Sequence, residues 1–589
     1  MTQAPLDSPA VASAAADQAP TILIVGGVAG GASAAARARR VNEHARIVMF
    51  ERDAEVSFAN CGLPYYIGGE IQDRSQLLVA TPALFRERFR IDARVRHEVE
   101  SIDRVAKTVR VRNLETGEVY HESYDKLILS PGAAPIVPPI PGVNTQGVFT
   151  LRNIDDMDRI VEGSEDAREV VVVGAGYIGL EIAEQFAHKG PEVTIVELQD
   201  QVMPFFDREI AEPLHRELER NGVRLELGRG IATIEETNGV VSGVTLTDGT
   251  RLAADLVLMS VGVRPNIELA VAAGLAIGDS GGIATDDFMR TSDPDIYAVG
   301  DAAEYRFGPT GARQRVPLAG IANRTGRVAG EHAATGRSRP APAAWSTSVV
   351  RVFGYAAGIA GLSRVAARQA GFDARAVHIV SYHHASYYPG AAPLGIKLVY
   401  ENGTGRVLGA QVMGAAGVDK RLDVVATLIH FQGTIDDLAS LDLAYAPPFG
   451  SAKDPLHMAA FVAQNDLDGL SPLVAPDADL SDFQVVDVRE AAEREELPLC
   501  DAPHAKHIRL DDLRDRLGEL DPSLPTLVSC RSGQRAYAGV RILAQHGFAE
   551  VYNLSGAAAM RDFARNRRSG MEAKTPVKLP RPEHLVNQP

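Results

Sequence analysis

The chain has 589 residues, 45% hydrophobic and 23% charged, which excludes a disordered, collagen-like or coiled-coil protein and predicts about four folding units. Acidic residues outnumber basic ones by 76 to 60, and the net charge of -16 argues against nucleic acid or an anionic membrane as the principal partner. Its three cysteines cannot build a disulfide framework, which predicts a cytoplasmic protein whose important cysteines are reactive, and no apolar run reaches the ~18–20 residues of a membrane helix.

Residues 1–20, rich in Ala, Pro and Ser with no Lys or Arg, read as a disordered tail rather than a secretory signal. Thr21–Val25 is strand-like and leads through Gly26-Gly27-Val28-Ala29-Gly30-Gly31 into an alanine-rich helix, Ala32–Arg40. A second strand, Ala45–Phe50, ends at Glu51. The pattern recurs: Glu169–Val173, then Gly174-Ala175-Gly176-Tyr177-Ile178-Gly179, a helix through His188, and a strand ending at Glu197. A glycine turn between strand and helix lets backbone approach a pyrophosphate at the helix N-terminus, so two such units predict two dinucleotide sites. Val28 departs from the usual glycine at the third position of the first loop, whereas Gly174, Gly176 and Gly179 keep all three. Glu51 and Glu197 are placed to accept from ribose hydroxyls. Glu197 has no arginine among the next three residues, so its charge favours NADH over NADPH.

The repeat continues. Leu127–Gly132 matches Leu256–Gly262, each a buried strand ending in a glycine turn. Residues 98–124 read as a β-meander with a counterpart at 231–254, where Asp248-Gly249 forms the turn. Ile296–Val299 ends in Gly300-Asp301, whose carboxylate suits a ribityl hydroxyl. From about Ala343 to Gln464 the pattern is that of an antiparallel sheet with helices, and a final α/β unit begins at about Asp482.

The order of Gly26, Gly132 and Asp301 around an inserted βαβ unit resembles the pyridine nucleotide-disulfide oxidoreductase family, over residues 21–464. Within it, Ser57-Phe58-Ala59-Asn60-Cys61-Gly62-Leu63-Pro64-Tyr65-Tyr66 is the distinctive segment, with Tyr66 where a second cysteine is usual. A single cysteine resembles the coenzyme A-disulfide reductase branch, in which Cys61 cycles through a mixed disulfide, persulfide or sulfenic acid. That chemistry needs a thiolate, so a helix N-terminus or positive group is expected to lower the Cys61 pKa. Ser33, Arg37 and Arg40 share a helix face suited to phosphate. The resemblance adds Ser57, Asn60, Asn323 and Lys453 as contacts to coenzyme A, although Phe89 stands where a lysine is usual and Arg88 or Arg90 is the substitute. Glu181 is expected near the nicotinamide, and Tyr177 over the flavin.

His383-His384 lacks further ligands at metal spacing, and no metal is expected. The resemblance implies a homodimer in which Tyr387 and Tyr445 reach Cys61 of the partner subunit. Downstream, Cys530-Arg531-Ser532-Gly533-Gln534-Arg535 follows a short strand, Thr526–Ser529, and precedes a helix, Ala536–Gln545. Such a loop aims backbone N–H groups at the sulfur and closes on an arginine, and with Val486–Arg489, His507–Leu510 and Asn553–Gly556 it resembles the rhodanese family. Cys500 has no cluster around it and reads as incidental.

The expected fold class is therefore α/β: a two-dinucleotide-binding flavoprotein with Rossmann-like lobes for FAD (residues 21–150 and 265–340) and NADH (151–264), an α+β dimerisation lobe (341–466) and a rhodanese-like domain (480–571). The function implied is transfer of electrons from NADH through FAD to Cys61, cleaving an S–S bond of coenzyme A disulfide, coenzyme A persulfide or polysulfide, with Cys530 exchanging sulfane sulfur. The alternatives are an NADH oxidase or peroxidase acting through a cysteine sulfenic acid, and a sulfur carrier or redox sensor that does not turn over.

Overall fold

The computed structural model describes residues 19–499, 502 and 504–565; Cys500, most of the N-terminal tail and the end of the last predicted domain lie outside the described residues. Among the described residues, four five-stranded sheets organise the fold. The first is parallel, in the order Ile296–Ala298, Lys126–Leu129, Thr21–Val25, Arg46–Glu51, Asp92–Val95. Its central strand is apolar on both faces, with Ile22, Leu23 and Ile24 fully buried, as a strand covered on both sides must be. The second sheet is also parallel, running Val148–Thr150, Leu256–Met259, Glu169–Val173, Glu192–Glu197, Arg224–Leu227.

These two orders correspond strand for strand. In each, the strand before the glycine loop lies between the strand that follows the βαβ helix and one recruited from much later. The order reverses there, and that is where open α/β sheets bind ligands, at the carboxyl ends of the strands. The two meanders also form, as three-stranded antiparallel sheets of His97–Asp103, Thr108–Asn113, Val119–Ser123 and of Ile231–Thr237, Val240–Leu246, Arg251–Ala253.

The first βαβ helix, Ala29–Val41, packs closely on Ala319–Thr335. A Cβ on Gly326 would sit 2.2 Å from the carbonyl oxygen of Gly30, and one on Gly330 would sit 2.2 Å from that of Ala34. Small residues on both helices are what let the backbones meet.

The third sheet is antiparallel, in the order Ser348–Val352, Tyr355–Gly361, Val407–Gly414, Pro393–Glu401, Ala374–Tyr382. The fourth is parallel, with Thr526–Ser529 at its centre between Val551–Leu554 and Gln484–Asp487. Its C-terminal helix, Ala557–Ala564, packs on Arg208–Arg220 of the second lobe. Met560 is fully buried in the same cluster as Leu214, and Asp562 pairs with Arg216 at 2.8 Å. Ser555 reaches the third sheet: its Oγ accepts from the His378 N–H at 3.0 Å and lies 2.9 Å from His378 Nδ1. The last domain is thus docked through a buried polar chain that continues from His378 Nε2 to Glu209 at 2.9 Å and from Glu209 to Lys397 at 2.5 Å. No helix among the described residues is long and apolar enough to cross a membrane.

Candidate active site

Both glycine loops leave their sheets by the same device. Gly26 and Gly174 take left-handed φ values of 91° and 101°, and a Cβ would lie 2.1 Å from the Ser130 carbonyl in the first and 2.5 Å from the Ser260 carbonyl in the second. Gly176 differs, because a Cβ there would have nothing within 4 Å, so its open side faces the cavity it lines. Nothing in the protein's own packing requires a glycine there, and its absence of a side chain leaves the backbone open to the cavity. Val28, at the corresponding place in the first loop, instead packs against the cluster containing Phe58 and Leu63.

One cavity of about 1960 Å³ joins the two loops. It is lined by Val28, Gly30, Gly132, Gly300 and Asp301 at one end, by Gly174, Gly176, Tyr177 and Glu197 at the other, and by Cys61 and Glu181. Single small-molecule sites span about 300–1,000 Å³, so the space is large enough for two dinucleotides. Asp301 pairs with Arg152 at 3.2 Å, and the Arg152 carbonyl accepts from the Asn60 amide at 2.5 Å. Arg152 carries no sequence signal of its own; only the fold brings it beside Asp301. Glu51 is 7% exposed, and burial pushes its carboxyl above the usual range while it accepts from the Gly27 and Asp53 N–H groups at 2.8 and 3.1 Å. Tyr177 hydrogen-bonds Ser348 and packs on Phe205 with ring centres 5.2 Å apart.

Cys61 opens onto this cavity from a single turn, Asn60–Gly62, that runs into the helix Leu63–Ile67. The expected lowering of its pKa is not what the surrounding side chains produce. Burial pushes the thiol up, Glu181 and Asp301 push it further, and Arg152 opposes them. A five-residue helix offers little dipole, and Arg152 is already tied to Asp301. Burial also pushes Glu181 up to about 7, against the pull of the Tyr65 hydroxyl, which donates to it at 3.1 Å.

The residues expected to contact coenzyme A are only partly brought together. Ser33 Oγ donates to Asn323 Oδ1 at 2.7 Å across the packed helices. Arg37 is instead held by both guanidinium nitrogens facing Glu331, at 2.9 and 2.7 Å. Arg40 is exposed and lies 5.4 Å from the Phe89 ring; Arg88 and Arg90 are exposed beside it. Ser57 is buried in a short strand, and Lys453 is exposed ahead of the helix Pro455–Leu467.

Tyr387 and Tyr445 are brought together, hydroxyl to hydroxyl at 3.2 Å, on the surface of the third lobe, 75% and 48% exposed and outside the lining of their own chain's cavity. His383 and His384 hydrogen-bond each other at 2.6 Å. In the last domain Cys530 is 1% exposed at the carboxyl end of the central strand, and its Sγ accepts from the Gly533 N–H at 3.1 Å. Arg535 is held by Glu493, with one contact at 2.7 Å, and Arg531 by Glu496 at 2.7 and 2.9 Å. These two glutamates, which the sequence reading did not single out, orient the guanidinium groups flanking the thiol. Beneath the loop Arg489 and Asp487 form a fully buried pair at 2.6 Å. Removing one partner of such a pair costs about 3–5 kcal/mol.

Two nucleotide loops and a lone cysteine on a shared cavity define a two-dinucleotide oxidoreductase of flavoprotein architecture. The chain belongs to the pyridine nucleotide-disulphide oxidoreductase family: residues 20–326 match that family, residues 347–455 its dimerisation domain, and residues 475–559 a rhodanese-like domain. The family implies FAD and a nicotinamide dinucleotide as cofactors. The chain is 34% identical over 447 residues to a coenzyme A disulfide reductase of Staphylococcus aureus, covering 76% of this chain and all of that one. Reduced CoADR-RHD of Bacillus anthracis superposes with a TM-score of 0.89 at 40% identity, over 93% of this chain and 98% of that one. A NAD-dependent persulfide reductase from A. fulgidus gives 0.86 at 38%, over 92% and 99%.

Proposed function

We propose that the protein is a homodimeric, NADH-using FAD enzyme that cleaves the S–S bond of coenzyme A disulfide, coenzyme A persulfide or polysulfide at Cys61, and whose rhodanese-like domain handles sulfane sulfur at Cys530. The single observation that carries this reading is the continuous cavity in which both glycine loops and Cys61 share walls. Along it, Gly30, Gly132, Gly300 and Asp301 would hold FAD and Gly174, Gly176 and Glu197 would hold NADH, while Gly26, Gly27, Gly31, Glu51 and Gly179, outside the lining, would shape the two loops that carry them. FAD supplies the passage of an electron pair from NADH to sulfur.

The chain's own residues do the rest. The Cys61 thiolate attacks R–S–S–R′, forming Cys61–S–S–R and releasing R′S⁻; two electrons then return Cys61 to the thiolate and release RS⁻. Tyr387 and Tyr445 of one chain hold or protonate the leaving sulfur at Cys61 of the partner subunit, which their exposure and mutual hydrogen bond support. Ser33, Arg37, Arg40, Ser57, Asn60, Asn323 and Lys453 contact coenzyme A; for Arg37 this requires sharing its guanidinium with Glu331. At Cys530 the Gly533 N–H and Arg535 stabilise a thiolate or persulfide. Similarity to the coenzyme A disulfide and persulfide reductases supports the substrate class.

The test is anaerobic NADH oxidation with each substrate, measuring released thiol or sulfide, for the wild type and Cys61→Ser. Loss of turnover in Cys61→Ser is expected with all three. Full turnover without Cys61, or NADH oxidation that requires oxygen and releases no sulfur product, overturns the reading.

A further inference from the structure

We infer that Tyr65 is a positioning residue that fixes the Glu181 carboxyl group on the cavity wall it shares with Cys61 and so restrains Cys61 as a nucleophile. The inference rests on the reading of Cys61 as the reacting sulfur. Tyr65 lies on the helix Leu63–Ile67, immediately after the cysteine, and Glu181 on Tyr177–Lys189, the helix packed against it. Cys61, Pro64 and Glu181 share the cavity wall, and the Tyr65 hydroxyl donates to Glu181 Oε1 at 3.1 Å.

The ring is held as well as the hydroxyl. The Arg351 guanidinium sits 5.2 Å from the Tyr65 ring centre. Arg351 is fixed in turn by Glu70 and by the buried Glu184 at 2.9 Å, while Gln185 donates to Glu70 at 3.0 Å. An anchored phenol therefore presents one hydrogen bond to one carboxylate. The charged groups acting on Glu181 are Glu184 and Arg351, and those acting on Cys61 are Glu181, Asp301 and Arg152.

The direction of the effect follows. Burial favours neutral Glu181, and the Tyr65 hydrogen bond favours the anion. The anion in turn holds the Cys61 proton on, behind the larger effect of burial. Removing the hydroxyl lets Glu181 keep its proton to higher pH, the negative charge near Cys61 is lost, and the thiolate forms at lower pH.

The experiment uses the full-length flavoprotein, reduced with dithiothreitol and desalted. Iodoacetamide alkylation of the Cys61 peptide is followed by mass spectrometry across about pH 6–9, which separates it from the other two cysteines. Tyr65→Phe is expected to move the rate profile to lower pH, raising the rate near pH 7.5 by about threefold. Glu181→Gln is expected to move it the same way, and Tyr65→Phe in the Glu181→Gln background to add nothing. A Tyr65→Phe profile that overlays the wild type overturns the proposal, as does a further shift in the double variant. Because Cys61→Ser turnover tests the reading of the site and the alkylation profile tests Tyr65, the two failures are distinguishable.

Discussion

Glu51 and Glu197 make the same two hydrogen bonds in the two nucleotide lobes. Each accepts through one oxygen from the second residue of its glycine loop, Gly27 at 2.8 Å and Ala175 at 2.8 Å, and through the other from the residue two positions on, Asp53 at 3.1 Å and Gln199 at 2.9 Å. Each carboxylate thus ties the end of its second strand to the loop that begins its helix. Substitution should separate the sites. Glu51→Ala strands two N–H groups, at about 1–3 kcal/mol each, and is expected to purify with depleted flavin and a lowered Tm. Glu197→Ala is expected to keep its flavin and to raise the KM for NADH more than the KM for NADPH. Flavin absorbance and steady-state kinetics with both nucleotides check this.

Gly326→Ala places a methyl group against the Gly30 carbonyl, at 2.2 Å, where both neighbours are helix backbone and cannot yield. A cost of about 1–3 kcal/mol is expected. Because Gly30 lies in the first turn of the helix that follows the first loop, flavin loss should accompany the drop in Tm. Gly518, exposed in the short turn Leu517–Glu519 and outside the cavity, where a Cβ meets nothing within 4 Å, is the control: Gly518→Ala should be neutral or stabilising.

Docking of the last domain should weaken in mild acid. Burial holds His378 below its ordinary value, reinforced by Lys397 and Arg364 and partly opposed by Glu209, so the docked form resists a proton that the undocked form takes up. Stability from this group is complete above the ordinary histidine value of about 6.5 and is lost as pH falls below it. Glu209 is held far below the usual carboxylate range and stays ionised throughout. Calorimetry at about pH 8 and 5.5 should show a larger fall in the wild type than in His378→Gln.

Cys530→Ala is expected to leave reduction of coenzyme A disulfide intact and to slow turnover with at least one sulfane-sulfur donor. Sulfide release measured donor by donor checks it; unchanged rates with every donor would make the domain independent of Cys61.

Tyr387→Phe and Tyr445→Phe each remove one hydroxyl from the 3.2 Å pair, and each should lower kcat more than it raises KM for the disulfide. The double variant should be little worse than either single one if the hydroxyls act as a unit.

Much of this was legible in local pattern. The strands Thr21–Val25, Glu169–Val173 and Thr526–Ser529 form with the predicted limits, because a short apolar run before a glycine turn is self-contained information. Helices were read short at their starts: Ala29–Val41 and Gln534–Gln545 begin inside the glycine loops. What could not be read were side-chain pairings across long separations. Arg37 and Arg40 look alike on a helix wheel, yet Arg37 is claimed by Glu331, 294 residues away, while Arg40 stays exposed. The Cys61 environment failed for the same reason, since Glu181, Asp301 and Arg152 converge only in three dimensions. Tyr65 gave no sign beyond lying near the cysteine.

The seating of Ser555 and Met560 has a consequence for anyone dissecting this gene. Cutting before residue 475 would bare the apolar socket of Met560 and leave His378, Glu209 and Lys397 facing solvent with an unfilled partner position. A shortened reductase would begin life with a sticky wound, and its insolubility would say nothing about whether sulfur handling by the two halves is coupled. A cleaner dissection keeps the seat and silences only the thiol.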